Sequence, residues 1–273
     1  NAFLNWVLIY GHLGMPRLEV EGAAYATIIA KTVEMLLLIG YTIKERPEFI
    51  SFSVFKRIDW ALFGRILKKG SLLIISQMMW VLSESFTAAI YNGRGNAAVV
   101  SGMAASFSIA NLFFISFDGI TTATGVLIGK SLGRNELDDA RKEKTWMLSA
   151  AIIFGCIMCL VGVVTVLLVP VVFGNLSIDA QNICRAMLLL MALFMPLWTF
   201  VNTQLAVCRA GGDTKVGFLV DGGTTAVMIP MLLILAFFTN ASPVMMYFGV
   251  KALDVGKIIV ATHEMKKERW VVN

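Results

Sequence analysis

The stretch Cys208-Arg209-Ala210-Gly211-Gly212-Asp213-Thr214-Lys215, followed six residues later by Asp221, sets the reading of the whole chain. Apolar runs flank it, Met187 to Val207 before and Val216 to Phe238 after. Gly211 and Gly212 predict a tight turn, because glycine reaches positive φ without steric cost. Arg209, Asp213 and Lys215 give that turn a hydrated, charged surface. The stretch therefore predicts a helical hairpin with its tip at a membrane face. Asp221 is then carried about 9 Å back into the bilayer, at 1.5 Å of rise per residue. A carboxylate at a helix centre costs roughly 2.5–3.5 kcal/mol on insertion scales, and less near the interface. A compensating partner is expected.

Composition agrees with that placement. Hydrophobic residues make up 58% of the 273, only 15% are charged, and the mean hydropathy is +0.77. A soluble domain carries about 25% charged residues. Segments of the roughly 20 apolar residues needed to cross a bilayer recur along the chain. The expected class is an all-α integral membrane protein, a polytopic helical bundle with the lipid bilayer as a partner. The net charge of +5 concerns orientation. No block of like charges with interleaved aromatics is present, so nucleic acid is not an expected partner.

No cofactor or metal site is expected either. Cys156 and Cys159 stand three apart inside an apolar run, but no second such pair and no nearby histidine completes a metal centre. They read as thiols on a lipid or core face. His12 and His263 lie near opposite ends of the chain. Paired Asp motifs, HExxH and a Ser/Lys dyad are absent, so the chain is not read as an enzyme.

From the hairpin outward, seven spans are expected: residues 22–43, 70–91, 97–128, 146–173, 181–208, 215–238 and 243–262. Ala2 to Tyr10 is too short to span and reads as the end of a longer transmembrane helix. Lys31 and Glu34 form an i,i+3 pair inside the first span. The last span is the weakest, because Lys251, Asp254 and Lys257 interrupt it. The polar connection 44–69 alternates Phe52, Phe55, Ile58, Trp60, Phe63 and Ile66 with charges, the pattern of an amphipathic helix at the interface. The basic residues fall on one side. The connections 44–69 and 130–144, the turn 209–215 and the tail from 257 hold seven, five, two and four Lys or Arg, whereas the opposite connections 92–96, 174–180 and 239–243 hold only Arg94. The basic side and the C-terminus are expected to be cytoplasmic, and the location to be the cell (inner) membrane.

The run Arg209 to Lys215, with Asp221 and Pro230 beyond it, resembles the late helices of multidrug and toxic compound extrusion (MATE) transporters. Leu8–Gly11 with Gly22–Thr27, Val126–Gly133, and the basic ending before Trp270 match in order and spacing. The resemblance implies a twelve-helix transporter of two six-helix lobes. On that mapping residues 70–263 are the C-terminal six-helix lobe and 264–273 a basic cytoplasmic tail. Residues 44–69 become the inter-lobe linker. Residues 1–43 become the last one and a half helices of the N-terminal lobe, whose remainder is then a partner from the same longer chain. The implied function is secondary active efflux of organic, lipophilic cations by H+ or Na+ antiport. Gln77 and Asn5 stand where members often carry a carboxylate, which shifts attention to Glu84, Asp118 and Asp221.

Depth separates these candidates. Asp221 and Asp118 lie in the inner half of their spans and are expected to form or support an ion-coupling element. Glu84, about 21 Å past Gly70 by helical rise, is expected both to couple ions and, with Trp80 and Gln77, to bind substrate. A Trp face beside a carboxylate suits lipophilic cations. Pro196 and Pro230 are expected hinges, since each frees a backbone carbonyl. The alternative is structural: the two Asp bond helix-end backbone and pin packing, and Glu84 is only inward-facing. Met187, Met191 and Met195 suit a promiscuous surface, or simply a core or lipid face. A non-transporting membrane protein is one rival, and a flippase for lipid-linked saccharides or other lipids is another. The flippase would want an Arg- and Lys-rich cavity, whereas the spans after Gly70 offer few such residues, Arg185 and Lys251 among them.

Overall fold

The computed structural model describes residues 1–45 and 59–271, which form two compact units, Asn1–Phe63 and Gly64–Asn273. The described residues are helical, with no strand among them. Residues 46–58, half of the connection expected as an amphipathic linker, lie outside the described residues.

The first unit holds α1 (Ala2–Tyr10) and α2 (Glu19–Glu45), joined by a 3-10 turn over His12–Gly14. Gly22 lets α2 cross α1 closely, since a Cβ there would lie 2.6 Å from the Leu8 carbonyl oxygen. Val7, Leu8 and Ala26 close the small core. Lys31 and Glu34 pair at 2.6 Å on an exposed face of α2.

The second unit contains α3 (Trp60–Arg94), α4 (Ala97–Gly133), α5 (Leu137–Val172), α6 (Ile178–Ala210), α7 (Lys215–Phe238), α8 (Pro243–Ala252) and α9 (Asp254–Lys266). Among the described residues six helices, α2 to α7, are long and apolar enough to cross a membrane. α6 packs between α4 and α5, and small residues set those crossings. A Cβ on Gly102 of α4 would meet the Ala180 carbonyl at 2.5 Å; on α5, Gly155 abuts Pro196 and Thr199, and Gly162 abuts Ala192. Without a hydrophobic drive between helices in lipid, such close backbone approach supplies the packing. Met187, Met191 and Met195 are buried in this core, and α6 runs unbroken through Pro196.

Three boundaries differ from the sequence reading. The seventh expected span is two short helices, α8 and α9, separated by Leu253, where i→i+3 hydrogen bonds tighten the chain. Helix α5 begins at Leu137, inside the expected polar loop, because Asp138–Arg141 and Asp139–Lys142 pairs brace its first turns. Residues 60–69, expected within the linker, are the first turns of α3.

The hairpin between α6 and α7 forms as expected, but its two glycines do different work. Gly212 has φ +77, whereas Gly211 has φ −84, open to any residue. Gly211 is needed for contact: a Cβ there would lie 1.8 Å from the Trp270 carbonyl oxygen. The tail thus docks on the hairpin, with the Trp270 ring buried and Lys144 of α5 5.5 Å from its centroid. Arg94 donates to the Leu235, Ala236 and Thr239 carbonyls and so caps the C-terminus of α7.

Candidate functional site: a charged cavity among α3, α7, α8 and α9

The face of α3 that meets α7 is a stripe of small hydroxyls, Ser76, Ser83 and Thr87, continued by Tyr91. Their spacing of seven, four and four keeps them on one side of the helix. Glycines on α7 admit this stripe: the space beside Gly222 is filled by the Met79 thioether, and Ser76 Oγ lies against Gly217. At that distance Ser76 Oγ donates to Asp221 Oδ2 at 2.5 Å. Higher up, Ser83 Oγ meets Met228 Sδ at 3.3 Å.

Above this contact α8 and α9 close a cavity of about 20 Å³, room for a single water. Its polar wall is Trp80, Ser83 and Glu84 from α3, Asp221, Thr224 and Thr225 from α7, Lys251 from α8, and Asp254 and Lys257 from α9. Lys251 Nζ donates to Glu84 Oε1 at 2.6 Å, with the two side chains 13% and 31% exposed. The same ammonium lies 5.6 Å from the Trp198 ring centroid and 5.4 Å from that of Tyr247. Trp198 is itself held, because its indole N–H donates to Asp254 Oδ2 at 2.8 Å. Lys257 takes the other oxygen of Asp254 at 3.1 Å. Asp254 sits in the first turn of α9, where the helix dipole favours a negative charge.

The charges are unequal. Three carboxylates face two ammonium groups. Glu84 is paired with Lys251 and Asp254 with Lys257, whereas Asp221 has a hydroxyl partner and no ion pair among the described residues. Thr224 Oγ1 returns its proton to the Val220 carbonyl, which leaves its lone pairs toward the cavity. A carboxylate without a counter-charge, beside hydroxyl oxygens and a water-sized space, is suited to a proton or one small monovalent cation.

Of the residues singled out in the sequence, Glu84, Trp80 and Asp221 meet at this cavity. Gln77 lies one turn before Trp80 on the exposed face of α3 and does not line it. Asp118 is exposed on α4, outside the cavity, and its carboxylate has no hydrogen bond or ion pair among the described residues. Pro230 lies on the exposed side of α7, which continues through it. Ser76, Trp198, Lys251, Asp254 and Lys257 escape the sequence reading. The signal available for the last three is their i,i+3 spacing, which in a linear reading only weakens a span. Cys156 is exposed and Cys159 half-buried, both as free thiols.

The MatE family model matches residues 73–235, more than half of the chain. The chain belongs to the MatE family. Among curated relatives of the MatE chain, a probable multidrug resistance protein NorM of Mesorhizobium japonicum is 26% identical, over 98% of this chain and 59% of that protein. A probable multidrug resistance protein NorM of Rhodopseudomonas palustris is 27% identical, over 96% of this chain and 56% of that protein. The chain thus spans 56–59% of the length of these relatives. The fold is similar to that of the Vibrio cholerae MATE transporter VcmN, solved as a point mutant, with a TM-score of 0.77 and 17% identity over 98% of this chain and 60% of that one. A second MATE point-mutant structure gives a TM-score of 0.75 and 18% identity, over 95% of this chain and 56% of that one. The protein is therefore an all-helical, multi-pass membrane protein of MATE-type architecture.

Proposed function

We propose that this chain is the C-terminal part of a MATE exporter that moves organic, lipophilic cations out of the cell in exchange for H+ or Na+. The observation that carries this reading is the cavity, where Glu84 and Asp221 stand beside Trp80 within a largely apolar bundle. Ionisable groups inside a membrane bundle are costly and serve ion and substrate pathways. An antiporter needs a site whose affinity differs between inward and outward states, with ion binding biasing the exchange. Asp221 and Glu84 are the coupling carboxylates in this scheme. Trp80 and Glu84, with Gln77 one turn away, offer the π face and charge that a lipophilic cation requires. Asp118 is a second, separate acidic position on α4 that contributes to coupling from outside the cavity. Residues 70–263 act as one lobe, working against an N-terminal lobe that residues 1–43 complete. The side rich in Lys and Arg faces the cytoplasm, together with the C-terminus, in the inner membrane of the cell.

The test is efflux of a fluorescent lipophilic cation from cells stripped of their own pumps, with the full-length protein at matched membrane expression. Wild type is expected to export the dye and Asp221→Asn to lose most of that export. Equal export by both sinks the role given to Asp221. No export by wild type sinks the substrate class.

A further inference from the structure

Lys251 is placed where a ligand would be. Its ammonium has three donors and no acceptor. It finds one carboxylate oxygen at 2.6 Å and two aromatic faces at 5.4 and 5.6 Å, inside the roughly 6 Å reach of cation–π attraction. A carboxylate with flanking aromatic faces is the environment that recognises an organic ammonium ion. The faces are preset. Trp198 is fixed by the Asp254–Lys257 pair, and the Tyr247 ring is packed against Phe107 and Tyr91. Glu84, in contrast, keeps 31% of its side chain exposed, so an incoming cation can approach it.

We propose that the Lys251 ammonium is a tethered occupant of the cavity's cation position, in intramolecular competition with small organic ammonium ions for Glu84. The inference deepens the exporter reading and rests on it for its biological meaning. Lys251 is then a specificity-determining residue. A cationic ligand takes the position between Glu84 and the two rings only by displacing the lysine, so weakly bound primary ammonium ions are excluded from it. Asp221, which has no such occupant, remains the carboxylate open to the coupling ion. The competition follows from effective concentration: a side chain anchored on α8 is always present, whereas a free ligand must reach the site from solution.

The probe is n-butylammonium, which reproduces the four-carbon stem and charge of lysine. It is titrated by calorimetry into full-length protein in lipid nanodiscs, as wild type, Lys251→Ala and Lys251→Ala/Glu84→Gln. Lys251→Ala is expected to bind at least about tenfold more tightly than wild type. The double variant is expected to lose that gain, and n-butanol, of similar shape without charge, to bind none of the three measurably. Simple cavity filling would serve the alcohol as well as the ammonium. Lys251→Gln, which retains a donor to Glu84, covers the case in which the alanine variant does not fold, and is expected to show a smaller gain of the same sign. No gain in a folded Lys251 variant overturns the proposal, as does a gain that survives Glu84→Gln or is matched by n-butanol. Binding is read without transport. A gain in Lys251→Ala beside a wild type that exports no dye leaves the tethered cation standing and removes the exporter reading; export without the gain does the reverse.

Discussion

Replacing Gly211 by alanine should release the C-terminal tail, whereas the same change at Gly212 should barely disturb it. A Cβ on Gly211 would lie 1.8 Å from the Trp270 carbonyl oxygen, 2.5 Å from its carbon and 2.6 Å from Cα. All three are backbone atoms, so no side-chain rotation relieves the overlap and the tail must lift away. That movement exposes the Trp270 ring, which is 1% exposed in the docked state. Full loss of a buried Trp costs about 3–5 kcal/mol, so Gly211→Ala should lower the cost of tail opening by about 3 kcal/mol. At Gly212 nothing lies within 4 Å, and the penalty is the φ of +77 alone, about 1–2 kcal/mol. Cys208, 1% exposed and packed in the same cluster as Trp270, supplies the readout. With other cysteines replaced, the rate of Cys208 alkylation reports the population of the opened tail. Gly211→Ala should accelerate it by roughly two orders of magnitude, since about 1.4 kcal/mol is tenfold. Gly212→Ala should change it by little, because its strain acts on the turn. Deleting residues 269–273 should abolish the difference between wild type and Gly211→Ala. Equal acceleration by the two substitutions, or an effect of Gly211→Ala that survives the deletion, would refute this account of the hairpin.

Two further outcomes follow from the charge pairs. Glu84→Gln strands a nearly buried Lys251 and should cost about 3–5 kcal/mol, and Lys251→Met less, since Glu84 is partly reachable by water. Glu84→Gln/Lys251→Met should restore a thermal midpoint near wild type; a double variant as unstable as the sum of the singles would remove the direct pairing. In the tail, the hydrogen bond and charge of Arg141 hold the Glu268 carboxyl below its usual range, and Lys267 followed by Arg269 does the same for Glu264. A carboxyl depressed in the folded state stabilises above its unfolded value of about 4.3 and loses that contribution as pH falls through the folded value. The thermal midpoints of wild type and Glu268→Gln should therefore differ most at neutral pH and converge below about pH 4; a gap that is constant with pH contradicts the assignment. The Glu268 side chain is 41% exposed, so the gap should be small.

Much of the architecture is legible in the sequence because its causes are local. Apolar runs bounded by charge mark six of the helices long enough to span, and the Gly211–Gly212 pair marks the hairpin. Glu84, Trp80 and Asp221 are legible as candidates because a carboxylate or indole in an apolar run is conspicuous. What escapes is relational. Lys251, Asp254 and Lys257 lower the hydropathy of their segment, and a linear reading counts them as interruptions. Only the approach of α3 and α6 shows that Lys251 and Asp254 have partners, Glu84 and Trp198. The rotation of α3 is hidden for a related reason. Its buried stripe is Ser76, Ser83 and Thr87, whose hydroxyls look unexceptional until glycines on a distant helix make room for them. Gly211 is conspicuous for the wrong property, since its contact with Trp270 joins residues that are far apart in sequence.

The central claim is that a carboxylate cavity in this lobe couples cation movement to export. It is tested most directly with purified full-length protein in proteoliposomes, following a fluorescent lipophilic cation under an imposed proton or sodium gradient, for wild type, Asp221→Asn and Glu84→Gln. The account predicts dye movement driven by one of the two gradients, abolished when that gradient is dissipated, and lost in Asp221→Asn while dye binding persists. Dye movement by wild type that ignores both gradients, or that Asp221→Asn performs at the wild-type rate, would contradict it.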